Sequence, residues 1–261
     1  MVQLRSEVQP ALQCIALHKS FGALAAVSGI SFQVGKGEML GVVGPNGAGK
    51  TTLFNLLSGH LRCDEGKILL AGSDVTAMPA QRRFRHGLAR TFQIPESFAS
   101  QSVFENALAG AMFGVGAAYL PLSFSRSARV AAEEALAAVG LLDKRFLPAG
   151  GLTPFDKKKL MIASALAGRP STLLLDEPFG GLAESEIDAT EQIIRSINRG
   201  GMTIIIVEHV LRALFKLVKH VFVMRNGMPI FEGMPSAFMK DETVIASYLG
   251  KSRAHLKEVE L

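Results

Sequence analysis

Gly44-Pro45-Asn46-Gly47-Ala48-Gly49-Lys50-Thr51 fits G-x-x-x-x-G-K-[ST], the phosphate-binding loop, at every position. Its flanks suit that motif. Met39-Leu40-Gly41-Val42-Val43 ahead of it predicts a buried strand, and Thr52-Leu53-Phe54-Asn55-Leu56-Leu57 behind it predicts the first turns of a helix. Glycines let backbone N–H groups curl round an anion, and the helix N-terminus adds partial positive charge. Lys50 can reach terminal phosphates, and the Thr51 hydroxyl can hold Mg²⁺. The chain is therefore expected to bind a nucleoside triphosphate through Gly44, Pro45, Asn46, Gly47, Ala48, Gly49, Lys50, Thr51 and Thr52.

A second signal lies further along. Ser171-Thr172-Leu173-Leu174-Leu175-Asp176 is an apolar run closing on an acid, followed by Glu177-Pro178. An acid at the end of a buried strand beside a phosphate loop can hold Mg²⁺ through water, and Glu177 is placed to polarise an attacking water. Thr203-Ile204-Ile205-Ile206-Val207 predicts another buried strand, ending at Glu208-His209. Between them Ile187, Ile193, Ile194 and Ile197 recur at helical spacing. Shorter strands are expected at Val27–Val34 and Lys67–Ala71, the latter followed by a turn at Gly72-Ser73-Asp74. Asn226-Gly227 between two apolar runs marks a hairpin. Residues 101–165 are alanine-rich with few strand signals, and Ser127–Val139 predicts a helix stopped by Gly140.

The 261 residues are 48% hydrophobic, which suits a buried parallel sheet or a chain that docks on a membrane partner. The net charge of +5 is too mild for a dedicated nucleic-acid binder. The basic runs Gln81–His86 and Lys157–Lys159 are expected to be solvated helix faces. Cys14 and Cys63 have no metal spacing and predict no disulfide. Residues 1–12 lack the apolar core of a secretory signal. Asn106–Ser125 is twenty residues without a charge and contains Gly110-x-x-x-Gly114, but its glycines and Pro121 interrupt it. It predicts a buried or partner-facing helix in preference to a membrane span.

Phosphate loop, Gln93 in Arg90-Thr91-Phe92-Gln93, a helical insertion, Leu-Leu-Leu-Asp-Glu-Pro and a strand-end His follow one another in the order of the ATP-binding cassette ATPases. The chain resembles that family over nearly its whole length. Gly87–Gln93, Gly227–Gly233 and the closing Ile245-Ala246-Ser247-Tyr248-Leu249-Gly250 look like the ATPase subunits of branched-chain amino acid importers. The resemblance implies an α/β P-loop NTPase (RecA-like) core with an N-terminal antiparallel β-subdomain and an inserted α-helical subdomain. Residues 1–93 and 166–261 would form the core, and 94–165 the helical part. It also implies residue roles. Phe21 would stack on adenine, Gln93 would approach Mg²⁺ and the attacking water, Glu177 would be the general base, and His209 would contact the γ-phosphate. Thr51, Gln93 and Asp176 would surround the metal. ATP and Mg²⁺ are the expected ligands.

The family's Leu-Ser-Gly-Gly-Gln stretch, which meets the γ-phosphate held by the opposite subunit, aligns with Leu152-Thr153-Pro154-Phe155-Asp156. Thr153 keeps a hydroxyl and caps a helix that Pro154 suits at its first position. The Phe155 N–H remains to meet a phosphate, whereas Asp156 brings negative charge towards it, offset in part by Lys157, Lys158 and Lys159. A plain cap with a degenerate site is the alternative. Ala183 stands where the family usually has Asp or Asn, and Val210 where it usually has Asp, at parts that couple two sites.

The resemblance implies a peripheral ATPase on the cytoplasmic face of the inner membrane. Its partners would be permease subunits, a second cassette ATPase and, indirectly, a solute-binding protein, with no nucleic acid. Residues 106–125 are the candidate permease contact. The rivals are a soluble cassette ATPase acting on nucleic acid or ribosomes, and a weakly hydrolysing regulatory half of a heterodimer.

Overall fold

Two apolar runs, Thr172–Asp176 and Thr203–Val207, are buried at every residue, as strands covered on both faces must be. They are neighbouring inner strands of a six-stranded sheet in a computed structural model that describes residues 9–95, 97–115, 125–241, 244 and 245. Residues 1–8, most of the uncharged stretch beyond Val115, and Ala246–Gly250 of the closing motif lie outside the described residues.

In chain order, β1 (Leu12–Phe21), β2 (Leu24–Val34) and β3 (Met39–Val43) lead into α1 (Lys50–Ser58). Then come β4 (Glu65–Leu70), β5 (Ser73–Asp74), α2 (Ala80–Arg85) and β6 (Leu88–Arg90). Helices α3 (Val103–Phe113), α4 (Arg126–Ala138) and α5 (Pro154–Ala167) follow. The chain returns through β7 (Thr172–Asp176), α6 (Glu184–Arg199), β8 (Thr203–Val207) and α7 (Leu211–Leu217). It closes with the hairpin β9 (His220–Arg225) and β10 (Met228–Gly233), then α8 (Pro235–Phe238).

The larger sheet runs β10-β9-β3-β8-β7-β6, parallel except for β10. Its strand period of two sends side chains to two cores. Leu173, Leu175, Ile204 and Ile206 pack with Ala107, Leu160, Ile194 and Leu214 of the helices. Leu174, Ile205, Val42 and Phe222 pack with Leu53 and Leu57 of α1 and with Leu12 and Ile30 of an antiparallel sheet, β2-β1-β4-β5. Helix α1 is thus held between the two sheets. The ends of β3, β6, β7 and β8 lie along one edge, so residues far apart in sequence meet there.

Four expectations need correction. Ser73 and Asp74 are a short strand paired with Leu70 and Leu69, where a turn was expected. Arg83, in a run expected to be solvated, is 1% exposed. It donates to Leu56 O at 2.6 Å and Leu57 O at 2.7 Å, supplying donors for carbonyls in the last turn of α1. Its Nε and Nη2 bind Met78 O and Thr76 O, each at 2.9 Å. The second basic run is committed too: Lys159 pairs with Asp156 at 2.7 Å, and Lys158 donates to Glu177 O and Pro178 O. Finally, α3 ends at Phe113, so 106–125 is not one continuous helix. Gly110 and Gly114 serve packing inside the chain. A Cβ on Gly110 would sit 1.9 Å from Ser164 O on α5, and one on Gly114 would sit 2.3 Å from Gly168 O.

Candidate functional site

The phosphate loop joins β3 to α1. Helix α1 opens with no side-chain cap and no acidic residue in its first turn, and a helix leaves its first amides without internal partners. An anion therefore finds donors and no competing carboxylate there. Two glycines are required by close approach. A Cβ on Gly49, at φ +97°, would lie 2.2 Å from Ala26 O, and one on Gly44 would lie 2.5 Å from Met224 O. Asn46 and Gly47 face solvent, and Ala48 is buried beneath them. Lys50 is 8% exposed and donates to Gly44 O at 2.6 Å and Pro45 O at 3.0 Å, so its ammonium lies inside the loop. Burial lowers its pKa from the ordinary lysine range, while the charges of Glu177 and Asp176 act the other way. Thr51 is exposed and Thr52 partly so.

Ala26, which meets Gly49, belongs to β2, and Gly227 N donates to Ala48 O at 3.0 Å. The β1–β2 hairpin therefore lies against the loop. Phe21 ends β1 with half its surface exposed, and Lys19 Nζ lies 5.7 Å from its ring centre. An open aromatic face is what base stacking needs.

Glu177, Gln93 and His209 converge. Gln93 Nε2 donates to Glu177 Oε2 at 2.6 Å, and His209 Nδ1 lies 3.7 Å from the same oxygen. Glu177 has φ +48°, a left-handed conformation that costs a non-glycine residue ~1–3 kcal/mol. Its neighbours hold it there. Glu177 N donates to Val207 O at 2.9 Å, and Lys158 Nζ reaches Glu177 O at 3.1 Å and Pro178 O at 3.3 Å. Asp176, buried beside it, binds Arg90 at 2.8 Å through Oδ2.

Helix α5 begins as expected. The Thr153 hydroxyl accepts from Asp156 N at 3.1 Å, Pro154 takes the first turn, and Phe155 is half-buried with Lys159 Nζ 4.8 Å from its ring centre. Asp156, expected to bring charge towards a phosphate, is instead buried and paired with Lys144 and Lys159. Burial raises its pKa, but the two lysines outweigh that and hold it below the ordinary carboxylate range.

Residues 27–180 match the ABC transporter family. The chain belongs to the ABC transporter family. This ATP-binding cassette is 33% identical to BraF of Pseudomonas aeruginosa, a high-affinity branched-chain amino acid transport ATP-binding protein, over 94% of this chain and 99% of that one. It is 34% identical to LptB of Acidithiobacillus ferridurans, a lipopolysaccharide export system ATP-binding protein, over 92% and 96%. The ADP conformation of MJ1267, an ATP-binding cassette of an ABC transporter, superposes with a TM-score of 0.83 and 28% identity, covering 93% of this chain and 99% of that one. The cassette is thus a transporter ATPase with the α/β P-loop fold. No helix among its described residues is long and apolar enough to cross a membrane.

Three residues of the cassette's site carry structure that the sequence reading did not assign. Lys158 holds the turn at Glu177, and Arg90 holds Asp176. Glu208, fully buried, accepts from Phe179 N at 2.7 Å through one oxygen and from His209 N at 2.8 Å and Val210 N at 3.0 Å through the other. Burial raises its pKa from the ordinary range, against the pull of those three donors and of His209. An acid directly after an all-apolar strand was the available signal.

Proposed function

We propose that this cassette drives a membrane importer of branched-chain or related amino acids from the cytoplasmic face of the inner membrane. It would work as one of two cassettes beneath the permease subunits, with a solute-binding protein delivering cargo outside. One observation carries the hydrolytic part: Glu177, Gln93 and His209 meet at the edge that holds the phosphate loop. Similarity to BraF along nearly the whole length supports the substrate class. Similarity to LptB supports a second reading, an exporter of lipid-linked cargo. Membership of a transporter family favours both over a nucleic-acid or ribosomal role.

The residues divide the work. Phe21 stacks the adenine, and the backbone N–H groups of residues 46–52 take the phosphates. Lys50 turns from Gly44 O and Pro45 O to the terminal phosphates. Glu177 accepts a proton from water as its oxygen attacks the γ-phosphorus and the bond to ADP breaks. His209 and Gln93 hold that water and the phosphoryl group in line, and positioning of this kind is the main contribution to phosphoryl transfer. Thr51, Gln93 and Asp176 would hold Mg²⁺, whose charge neutralises the phosphate oxygens. The helix start at Thr153 and the Phe155 amide would meet the partner cassette's nucleotide, with Asp156 turned away into its lysine pairs. Residues 94–165 form the helical subdomain against a core of 1–93 and 166–261.

The permease contact is better supported outside α3. Gly110 and Gly114 face the chain's own α5, and Met112 packs against the core. Phe113 and Val115 are exposed at the end of α3, and Phe98, Phe146 and Leu147 are exposed outside it. The segments of the last three are joined by Val103 N to Leu147 O and Gly150 N to Ala99 O, each 2.9 Å. A membrane subunit is the partner that such a face on a transporter ATPase fits.

Labelled leucine uptake tests the substrate. Cells lacking the chain should lose it and regain it with the intact protein but not with Lys50→Ala. Leucine uptake that is unchanged by the loss overturns the amino-acid assignment. Glu177→Gln is expected to bind ATP, to turn it over about 100-fold more slowly or worse, and to form a dimer with ATP. Equal turnover in variant and parent removes Glu177 from its role.

A further inference from the structure

Arg90 is a nearly buried cation at the site that no catalytic role uses: its side chain is 5% exposed. Its guanidinium joins three elements. Nη2 binds Asp176 Oδ2 at 2.8 Å at the end of β7. Nη1 donates to Asn55 Oδ1 at 2.6 Å and Ser58 Oγ at 3.1 Å, both on α1. The group itself stands at the end of β6, three residues before Gln93, with the rings of Phe92 and Phe54 centred 5.0 Å and 5.7 Å away. Asn55 is four residues after Thr51, so the two share one face of α1.

We propose that Arg90 is a positioning residue that sets the divalent-cation site by cross-linking the elements bearing Thr51, Asp176 and Gln93. The inference rests on the assignment of those three residues to the metal. Each element could otherwise shift independently: α1 is anchored through its packing between the sheets, β7 through its strand neighbours, and Gln93 lies in a loop. One planar fork bonded at two ends fixes the distance between α1 and β7. It also occupies Oδ2 of Asp176. A lysine offers a point charge and cannot hold Asn55 and Asp176 with the same fixed geometry.

The test uses the full chain and a non-hydrolysable fluorescent ATP analogue, titrated in EDTA and then against Mg²⁺. Arg90→Lys keeps a buried cation against Asp176. Asn55→Ala leaves Arg90 in place and removes the shorter of its two bonds to α1, keeping the one to Ser58 Oγ. Both should bind the analogue in EDTA as the parent does, which also reports an intact fold. The Mg²⁺ concentration giving the half-maximal effect should rise about 10–100-fold in Arg90→Lys, the range for groups that orient metal ligands. It should rise by less in Asn55→Ala. Asp176→Asn run in parallel separates two failures. If it loses the Mg²⁺ effect while Arg90→Lys and Asn55→Ala both keep the parent's value, the role of Arg90 is overturned alone. If Asp176→Asn keeps the parent's Mg²⁺ dependence, the metal assignment is overturned and the inference falls with it.

Discussion

Glu208→Gln tests whether one buried carboxylate fixes both the turn after Glu177 and the turn at His209. In the parent, Oε1 accepts from Phe179 N, and Oε2 accepts from His209 N and Val210 N. An amide has one acceptor oxygen. Placed at Oε2, it keeps the two bonds to the His209 turn and aims an NH₂ at the Phe179 N–H. Placed at Oε1, it sets the NH₂ against the other two donors. The first loses less. A hydrogen bond to a charged group contributes ~1.5–3 kcal/mol, and the two that remain are weakened to neutral ones. Relief from burying a charge offsets part of this, since burial is what raises the Glu208 pKa. The net loss is ~1–3 kcal/mol, or about 2–12 °C in melting temperature for a chain of this size. Glu208→Ala orphans all three N–H groups and should lose more. Urea titration at constant m-value measures the stability, and steady-state ATP turnover measures the site. Because Phe179 follows Glu177-Pro178 directly, turnover should fall with little change in nucleotide affinity. A Glu208→Gln protein as stable and as active as the parent would refute the assignment of these bonds to loop positioning.

Gly110→Ala places a methyl 1.9 Å from Ser164 O, so α3 and α5 must separate; overpacking of this kind costs about 1–3 kcal/mol, read by thermal melting. An unchanged melting temperature would mean that the two helices are not held at this distance. Asp156→Asn should flatten acid unfolding. The parent's Asp156 is held below its ordinary pKa of 3.8, so its contribution to stability is complete above 3.8 and is lost as pH falls through the lower, folded value. The stability gap between parent and variant should therefore close in acid, and a constant gap down to acid unfolding would contradict the lysine pairing.

By itself the sequence determined the fold class, the phosphate-loop motif and the two strands that end at Asp176 and Val207. Those features are local: a glycine spacing, a continuous apolar run, an acid at a strand terminus. It placed β3, β7, β8 and the Asn226-Gly227 hairpin correctly because buried parallel strands read as continuous apolar runs. It went wrong on Arg83, the Lys157–Lys159 run and Asp156, where a charged side chain looked solvated or exposed to a ligand. Such a residue stays inside only when partners from distant elements satisfy it. Arg83 caps α1 from 26 or more residues away, Lys158 reaches across 19 residues to the turn at Glu177, and Arg90 meets Asp176 across 86. Glycine packing obeyed the same limit. Gly110 and Gly114 fit a membrane-dimer spacing in sequence, yet the surfaces they meet are Ser164 and Gly168 of the same chain. Which carboxylate is paired, which cation is buried and which surface a small residue faces depend on what tertiary packing brings within about 3 Å, the reach of a hydrogen bond. The chemistry of each motif was written locally, and its alignment was decided by the fold.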